Sequence, residues 1–350
     1  MNLLENISLK PFNAFGIDAS ARYFLEANSV SDIQNFLNDK AFDLFRAGAN
    51  GLLVLGGGSN LLLTKNVDGV VVRNNLKGIA LLKEDEEHYY VKAGGGVVWH
   101  EFVLHCIKNK YAGIENLSLI PGCVGAAPIQ NIGAYGVEQK ETFYELEAID
   151  LTENKAAIFN NADCQFGYRD SIFKREAKGK YMITSVTYRL NKTPKYNTSY
   201  GAINLELEKT GVKELSIAAI SQAVCTIRRS KLPDPAVIGN AGSFFKNPTV
   251  GSEKYESLKK EFPGMVGYPA PPSPGRGIRG EVKLAAGWLI EQCGWKGKSF
   301  GTYGVHKDQA LVLVNYGGAN GREIYDLSEK VLRSVKEKFG VDLEREVVII

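Results

Sequence analysis

Apolar residues recur along the chain with two periods. Helical spacing runs through residues 31–38, with Ile33, Phe36 and Leu37 on one face and Ser31 as the expected N-cap. It recurs in 98–110 (Phe102, Val103, Cys106, Ile107), in 217–229 (Ile217, Ile220, Val224, Ile227) and in 321–339 (Ile324, Leu327, Val331, Val335, Phe339). Shorter helices are expected over 252–262 and 283–293. Strand-like runs occupy 52–55, 61–63, 70–73, two segments within 78–93, then 143–150, 181–190, 311–314 and 343–350. Pro233 and Pro235 stop the 217–229 helix and mark a domain boundary, and 263–280 reads as an exposed loop rich in proline and glycine.

Several stretches follow neither period. Residues 121–136 hold four glycines, two prolines and no charge. Such a segment is too irregular for a helix and too apolar for a solvated loop, so its backbone is held against something. That partner is either a large, flat, anionic cofactor or the protein itself, as a crossover loop between two sheets. Gly56, Gly57, Gly58, Ser59 and Asn60 lie between two strand-like runs, an order that argues against a Rossmann turn, which needs a helix there. The glycines form either a phosphate-binding nest or a tight hairpin turn. Arg169, among Phe166, Gly167, Tyr168 and Phe173, is either a cation aimed into a cleft or a surface residue lying over apolar neighbours. Arg228, Arg229 and Lys231, beside the proline linker, are either solvated or suited to a diphosphate. Ser243 follows a run of small residues, where a backbone can approach closely. It is not part of a G-x-S-x-G elbow, and with four histidines in the chain a hydrolase triad has thin support.

Composition narrows the classes. The chain has 350 residues, enough for two or three cores, with 44% hydrophobic and 23% charged residues, as in an ordinary soluble protein. Net charge is +3, from 42 basic and 39 acidic side chains, so neither nucleic acid nor a membrane surface is recruited by the overall balance, and an anionic ligand must be met by local groups. The five cysteines are scattered without a C-x-x-C pair, which predicts neither a disulfide framework nor a zinc site. His100 and His105 lie five apart on a helix and share no face, so no metal is expected. The start lacks a signal peptide's features and no apolar run reaches the ~18 residues of a span, which predicts a cytoplasmic protein.

Taken together, seven blocks resemble the UDP-N-acetylenolpyruvoylglucosamine reductase family. They are residues 13–16 (Asn-Ala-Phe-Gly), 56–60, 121–136, 167–171, 231–235, 242–248 and 343–347, in family order and nearly end to end. The resemblance implies an α+β protein of the vanillyl-alcohol-oxidase-type FAD-binding fold, with two FAD-binding subdomains (1–66, completed by the final strand 341–350, and 67–230) and an α+β substrate-binding domain (231–340). It implies reduction of UDP-N-acetylglucosamine enolpyruvate to UDP-N-acetylmuramate in peptidoglycan precursor synthesis. NADPH reduces FAD, the reduced flavin N5 delivers hydride, and a proton follows.

By the family pattern, Arg169 and Glu346 stabilise the enolic intermediate and Ser243 protonates it. With Glu344 and Arg345 beside it, a surface charge on an edge strand is the alternative for Glu346. Gly56, Gly57, Gly58, Ser59, Asn60, Pro121, Gly122, Gly125, Ala126 and Gly133 would hold FAD, and Tyr200, Lys231, Asn247 and Gln309 the substrate's diphosphate and uridine. Tyr200 resembles the tyrosine that closes over substrate in the longer branch of the family. Gly125-Ala126-Ala127-Pro128 has alanines where some members have serines, so backbone N–H groups there must serve the flavin phosphate. The flavin stretches contain no histidine, which predicts a non-covalent cofactor. Loop 269–280 is longer than in some relatives and has no assigned role. A small-molecule substrate and a monomer are expected. The alternatives are an FAD oxidase of the same fold acting on another substrate, and a nucleotide-sugar-binding module without catalysis.

Overall fold

The structure, a computed structural model, describes residues 3–39, 51–269 and 281–350, so most of the 269–280 loop lies outside the described residues. Two compact units divide the chain: residues 1–7, 21–57 and 67–230 form one, and residues 8–20, 58–66 and 231–350 the other.

The first unit holds two sheets. In one, the order is Leu3–Ser8, Ser20–Ala27, Val67–Asn74, Leu52–Leu55. Val67–Asn74 runs parallel to both of its neighbours. Val70, Val71 and Val72 are all buried, as a strand in a covered parallel sheet must be. Helix Val30–Asn38 lays Ile33, Phe36 and Leu37 into the same core as Leu25, Val70 and Val72. Its N-cap is Ser29 rather than Ser31. The Asp32 N–H donates to Ser29 Oγ at 3.1 Å and the Ser29 N–H to the Asp32 carboxylate at 2.9 Å, a reciprocal pair that Ser31 has no acid in place to form.

The other sheet is antiparallel, ordered Ala156–Asn160, Phe143–Asp150, Tyr181–Asn191, His88–Gly94, Ile79–Glu84. Helix Trp99–Lys108 covers it with Trp99, Phe102, Val103 and Cys106, each contributing roughly 1.5–3 kcal/mol if it is an aliphatic or aromatic side chain fully removed from water. A third, small core joins Ile203 and Leu207 of helix Gly201–Lys209 to Ile220 and Val224 of helix Ile217–Lys231.

In the second unit, helix Gly321–Phe339 buries Ile324, Leu327, Val331, Val335 and Phe339. Asn320 caps its start through Glu323, and Gly340, at φ +61°, ends it in the left-handed region that glycine favours. Two three-stranded antiparallel sheets accompany it, ordered Gly239–Asn240, Leu313–Asn315, Tyr303–Val305 and Thr249–Gly251, Glu281–Leu284, Gly267–Pro269. Lys283 thus lies in a strand, and the helix expected over 283–293 is only Ala286–Gln292.

The final strand is short. Val348–Ile349 runs parallel to Leu61–Leu62, while Leu52–Leu55 pairs with Val67–Asn74. The hairpin reading of 56–60 therefore fails: the glycines carry the chain from one sheet to another. Among the described residues, no helix is long and apolar enough to cross a membrane. The cysteines are free thiols, and burial pushes the Cys164 thiol up to about 12.

Candidate active site

In the first unit, the 121–136 stretch meets the antiparallel sheet at its interior strands Tyr181–Asn191 and His88–Gly94. Val124–Ala126 forms one 3-10 turn. The Val124 N–H donates to Val97 O at 2.9 Å, Gly125 N–H to Gly95 O at 2.9 Å, and Ala126 N–H to Cys123 O at 3.0 Å. A Cβ on Gly125 would lie 2.9 Å from Gly95 Cα and 3.1 Å from Ile183 O, so only glycine fits between these backbones. A Cβ on Gly57 would lie 3.0 Å from Gly122 Cα, and one on Gly56 would touch Ala126 and Cys123 at 3.8 and 3.9 Å. Gly56, Gly57, Gly122, Gly125 and Ala126 are thereby brought together. Pro121 is exposed beside them. The backbone N–H groups at Gly125 and Ala126 already serve internal carbonyls, and the close approach at Gly125 is to the backbone of Gly95 and Ile183.

Gly133 opens a two-stranded hairpin, Gly133–Ala134 with Val137–Glu138. Arg169 is pinned to it: Nη2 donates to Gly133 O at 2.5 Å, and the guanidinium lies 5.3 Å over the Tyr168 ring. Arg169 itself has φ +53°, in a turn closed by the Gly167 N–H donating to Asp170 O at 2.9 Å. Asn131 Nδ2 donates to Gly167 O at 2.9 Å and ties that turn to the 121–136 stretch. The guanidinium is a fixed group, not one lying loosely over apolar neighbours.

Beside it stands Arg228, on helix Ile217–Lys231, whose Nε donates to Leu119 O at 3.1 Å. Burial draws its pKa down, and the Arg169 charge acts in the same direction against the favourable contact with Tyr135. Burial also pushes the Tyr135 phenol up, and its ring meets that of Tyr200 edge-on at 5.2 Å. Tyr200 is exposed at the start of helix Gly201–Lys209. Tyr135 escaped the sequence reading. Arg228 carried a signal in its spacing, four residues after Val224 on the inner face. His100 Nδ1 accepts the Leu119 N–H at 3.0 Å.

In the second unit, the buried Asn13 shapes its own loop, with Nδ2 donating to Leu9 O and Ile17 O at 2.8 and 3.0 Å and Oδ1 accepting from Ile17 N–H at 2.9 Å. The loop's next residue receives the Asn240 N–H at Ala14 O, 3.0 Å, and donates to Gly58 O at 2.9 Å. Gly58 has φ +63°, and a Cβ there would fall 1.9 Å from Phe12 O. Asn240 Oδ1 in turn accepts the Gly242 N–H at 2.9 Å, while its Nδ2 donates to Pro233 O and Ile238 O at 3.2 and 2.8 Å. Ser243 comes next, half-buried, and the Phe244 N–H is fixed on Leu311 O at 2.8 Å. The serine stands between two anchored residues.

Phe244 O accepts the Glu346 N–H at 2.9 Å, and Glu346 O accepts from Asn60 Nδ2 at 3.2 Å. The residue after Ser243, the Glu346 backbone and the Asn60 side chain are therefore joined, with Ser59 preceding Asn60 in the same loop. Glu346 is half-buried, and its exposed neighbour Glu344 takes the Lys246 ammonium at 2.5 Å. Asn247 and Gln309 converge on helix Ala286–Gln292: Asn247 Oδ1 accepts the Ala286 N–H at 3.0 Å, and Gln309 Oε1 lies 3.3 Å from where a Cβ on Gly287 would be. Lys231 is exposed at the end of its helix.

A model of the UDP-N-acetylenolpyruvoylglucosamine reductase C-terminal domain matches residues 234–350, and an FAD binding domain model matches residues 23–153. A UDP-N-acetylenolpyruvoylglucosamine reductase of Flavobacterium johnsoniae is 48% identical over 355 residues, covering 100% of each chain. The chain belongs to this reductase family. A second reductase of that name, from Amoebophilus asiaticus, is 49% identical over 350 residues, again covering 100% of both. The crystal structure of the Thermus caldophilus UDP-N-acetylenolpyruvylglucosamine reductase superposes with a TM-score of 0.65 at 21% identity, covering 100% of this chain and 99% of that one. The α+β fold expected for an FAD-binding reductase is the fold observed, and the chain is an FAD-binding oxidoreductase of the family.

Proposed function

We propose that the chain reduces UDP-N-acetylglucosamine enolpyruvate to UDP-N-acetylmuramate with NADPH, in the cytoplasm and as a monomer, for peptidoglycan precursor synthesis. Full-length identity of 48% to a reductase named for that substrate supports the reading. At the glycine-lined seam, Gly57 and Gly125 leave no room for a Cβ because Gly122 and Gly95 press against them, and this backbone-on-backbone packing fixes the shape of the two loops that would hold a flavin. Held without a covalent link along Gly56–Asn60 and Pro121–Gly133, FAD supplies the hydride.

The rest is done by side chains. Negative charge grows at the substrate carboxylate and its neighbouring carbon, and Arg169, already bonded at Gly133 O, is a preorganised cation for it. Ser243 donates its hydroxyl proton to that carbon. A serine is a poor acid in water, so this step needs a closed, dry site, which Tyr200 helps to make by folding over bound substrate. Glu346 shares in holding the enolic charge, and Lys231, Asn247 and Gln309 meet the diphosphate and uridine.

The observation that carries the proposal is the 2.9 Å bond from the Glu346 N–H to Phe244 O, which sets the segment bearing one proposed catalytic group beside the segment bearing another. The test is direct. Purified protein should be yellow, bleach with NADPH, and recover its colour anaerobically when the enolpyruvyl nucleotide sugar is added. Bleaching followed by recovery only with oxygen would favour an FAD oxidase acting on another substrate, and a colourless protein that FAD cannot reconstitute would sink both.

A further inference from the structure

We infer that Arg345 is a positioning residue for Glu346, a role that rests on the reading of Glu346 given above. Arg345 forms an isolated bridge with Phe245, which is itself buried. Neighbouring residues of an extended segment point to opposite sides, so a side chain anchored at 345 fixes the direction in which 346 projects.

The anchor is a three-part clamp on helix Gly321–Phe339. Arg345 Nε donates to Ser328 Oγ at 2.9 Å, Nη2 donates to the Glu329 carboxylate at 2.6 Å, and the guanidinium lies 4.7 Å over the Tyr325 ring. Tyr325, Ser328 and Glu329 are spaced i, i+3 and i+4, so they share one face of the helix. Ser328 is fully buried, and its own hydroxyl proton goes to Tyr325 O at 2.6 Å, which leaves its oxygen aimed as an acceptor for Arg345. Glu329 is held below the usual carboxylate range by the Tyr325 hydroxyl and by Arg345, as a committed partner would be. Glu346 is then constrained through its N–H at Phe244, its carbonyl at Asn60 and its preceding side chain at the helix. The first two bonds fix where the peptide lies. The clamp removes rotation about the segment's axis, to which a carboxyl group serving a reacting carbon is sensitive.

The experiment uses the FAD-loaded full chain and measures flavin bleaching by NADPH, reoxidation by the enolpyruvyl substrate, substrate KM and thermal unfolding. Arg345→Met should slow reoxidation by about 10- to 100-fold while bleaching and KM stay near wild type, since a misplacement near 1 Å can cost that much. Ser328→Ala, which suits a helix interior, should give a smaller loss of the same kind and serves if Arg345→Met does not fold. Arg345→Lys should recover part of the rate. In the double variant, Arg345→Met should add little to the loss caused by Glu346→Gln. Additive losses, or a lowered unfolding temperature with an unchanged reoxidation rate, would overturn the positioning role. A crippled Glu346→Gln beside a normal Arg345→Met overturns positioning alone, whereas a normal Glu346→Gln overturns the reading of Glu346 and the inference with it.

Discussion

Gly125 and Ser243 both sit in runs of small residues broken by glycine, yet the two stretches are built in opposite ways. Around Gly125, the N–H groups of Val124, Gly125 and Ala126 are all engaged by carbonyls nearby, and the absent Cβ lets backbone pack on the backbone of Gly95 and Ile183. Around Ser243, a buried asparagine on one side and a bond to Leu311 O on the other hold a side chain that is present. The first region is a closely packed backbone frame. The second is a mount for groups that donate or hold charge. Loss of function should therefore look different in the two: poor cofactor retention in one, and a slow chemical step with the cofactor retained in the other.

The largest expected effect is at the seam. Gly125→Ala forces a Cβ to 2.9 Å from Gly95 Cα, where both neighbours are backbone, and overpacking of that kind costs about 1–3 kcal/mol. Purified variant should lose most of its yellow colour, and wild-type FAD content would show that the seam does not depend on close approach. The mount should answer differently. Asn240→Ala removes bonds to Pro233 O, Ile238 O and the Gly242 N–H, a loss of about 1–3 kcal/mol of stability for buried groups left unpaired. Denaturant melts should record it, together with slower reoxidation by substrate and unchanged bleaching by NADPH; slowed bleaching would merge the two regions again. At the small end, Gly201→Ala meets open space at the first residue of helix Gly201–Lys209. It should be neutral or add roughly 0.5 kcal/mol, with FAD content and rates unchanged.

Much of this was legible in the sequence where one face of an element carries the message. Helix Gly321–Phe339 shows its five inner positions and ends at a glycine, so its bounds could be read from period and caps alone. Helix Gly201–Lys209 buries only Ile203 and Leu207, too few to reveal a period. Ser29 and Ser31 look alike until Asp32 bonds back to Ser29, and that bond picks the cap. In the site, the family resemblance marks Arg169, Ser243 and Glu346, but not what holds them. Asn60 stands 286 residues from the Glu346 carbonyl that its side chain bonds, and in the sequence its stretch reads as a phosphate nest or a hairpin turn. Nor does a sequence report which N–H groups are already engaged, and so the donors expected at Gly125 and Ala126 turned out to be occupied.

Ser243 is the group on which the proposed chemistry most depends. Anaerobic stopped-flow of the Ser243→Ala protein, loaded with FAD, separates bleaching by NADPH from reoxidation by the enolpyruvyl nucleotide sugar. The account predicts near-normal bleaching and reoxidation slower by about 10²–10⁴-fold, the range for a lost general acid. Equal slowing of both steps, or reoxidation at the wild-type rate, would contradict it.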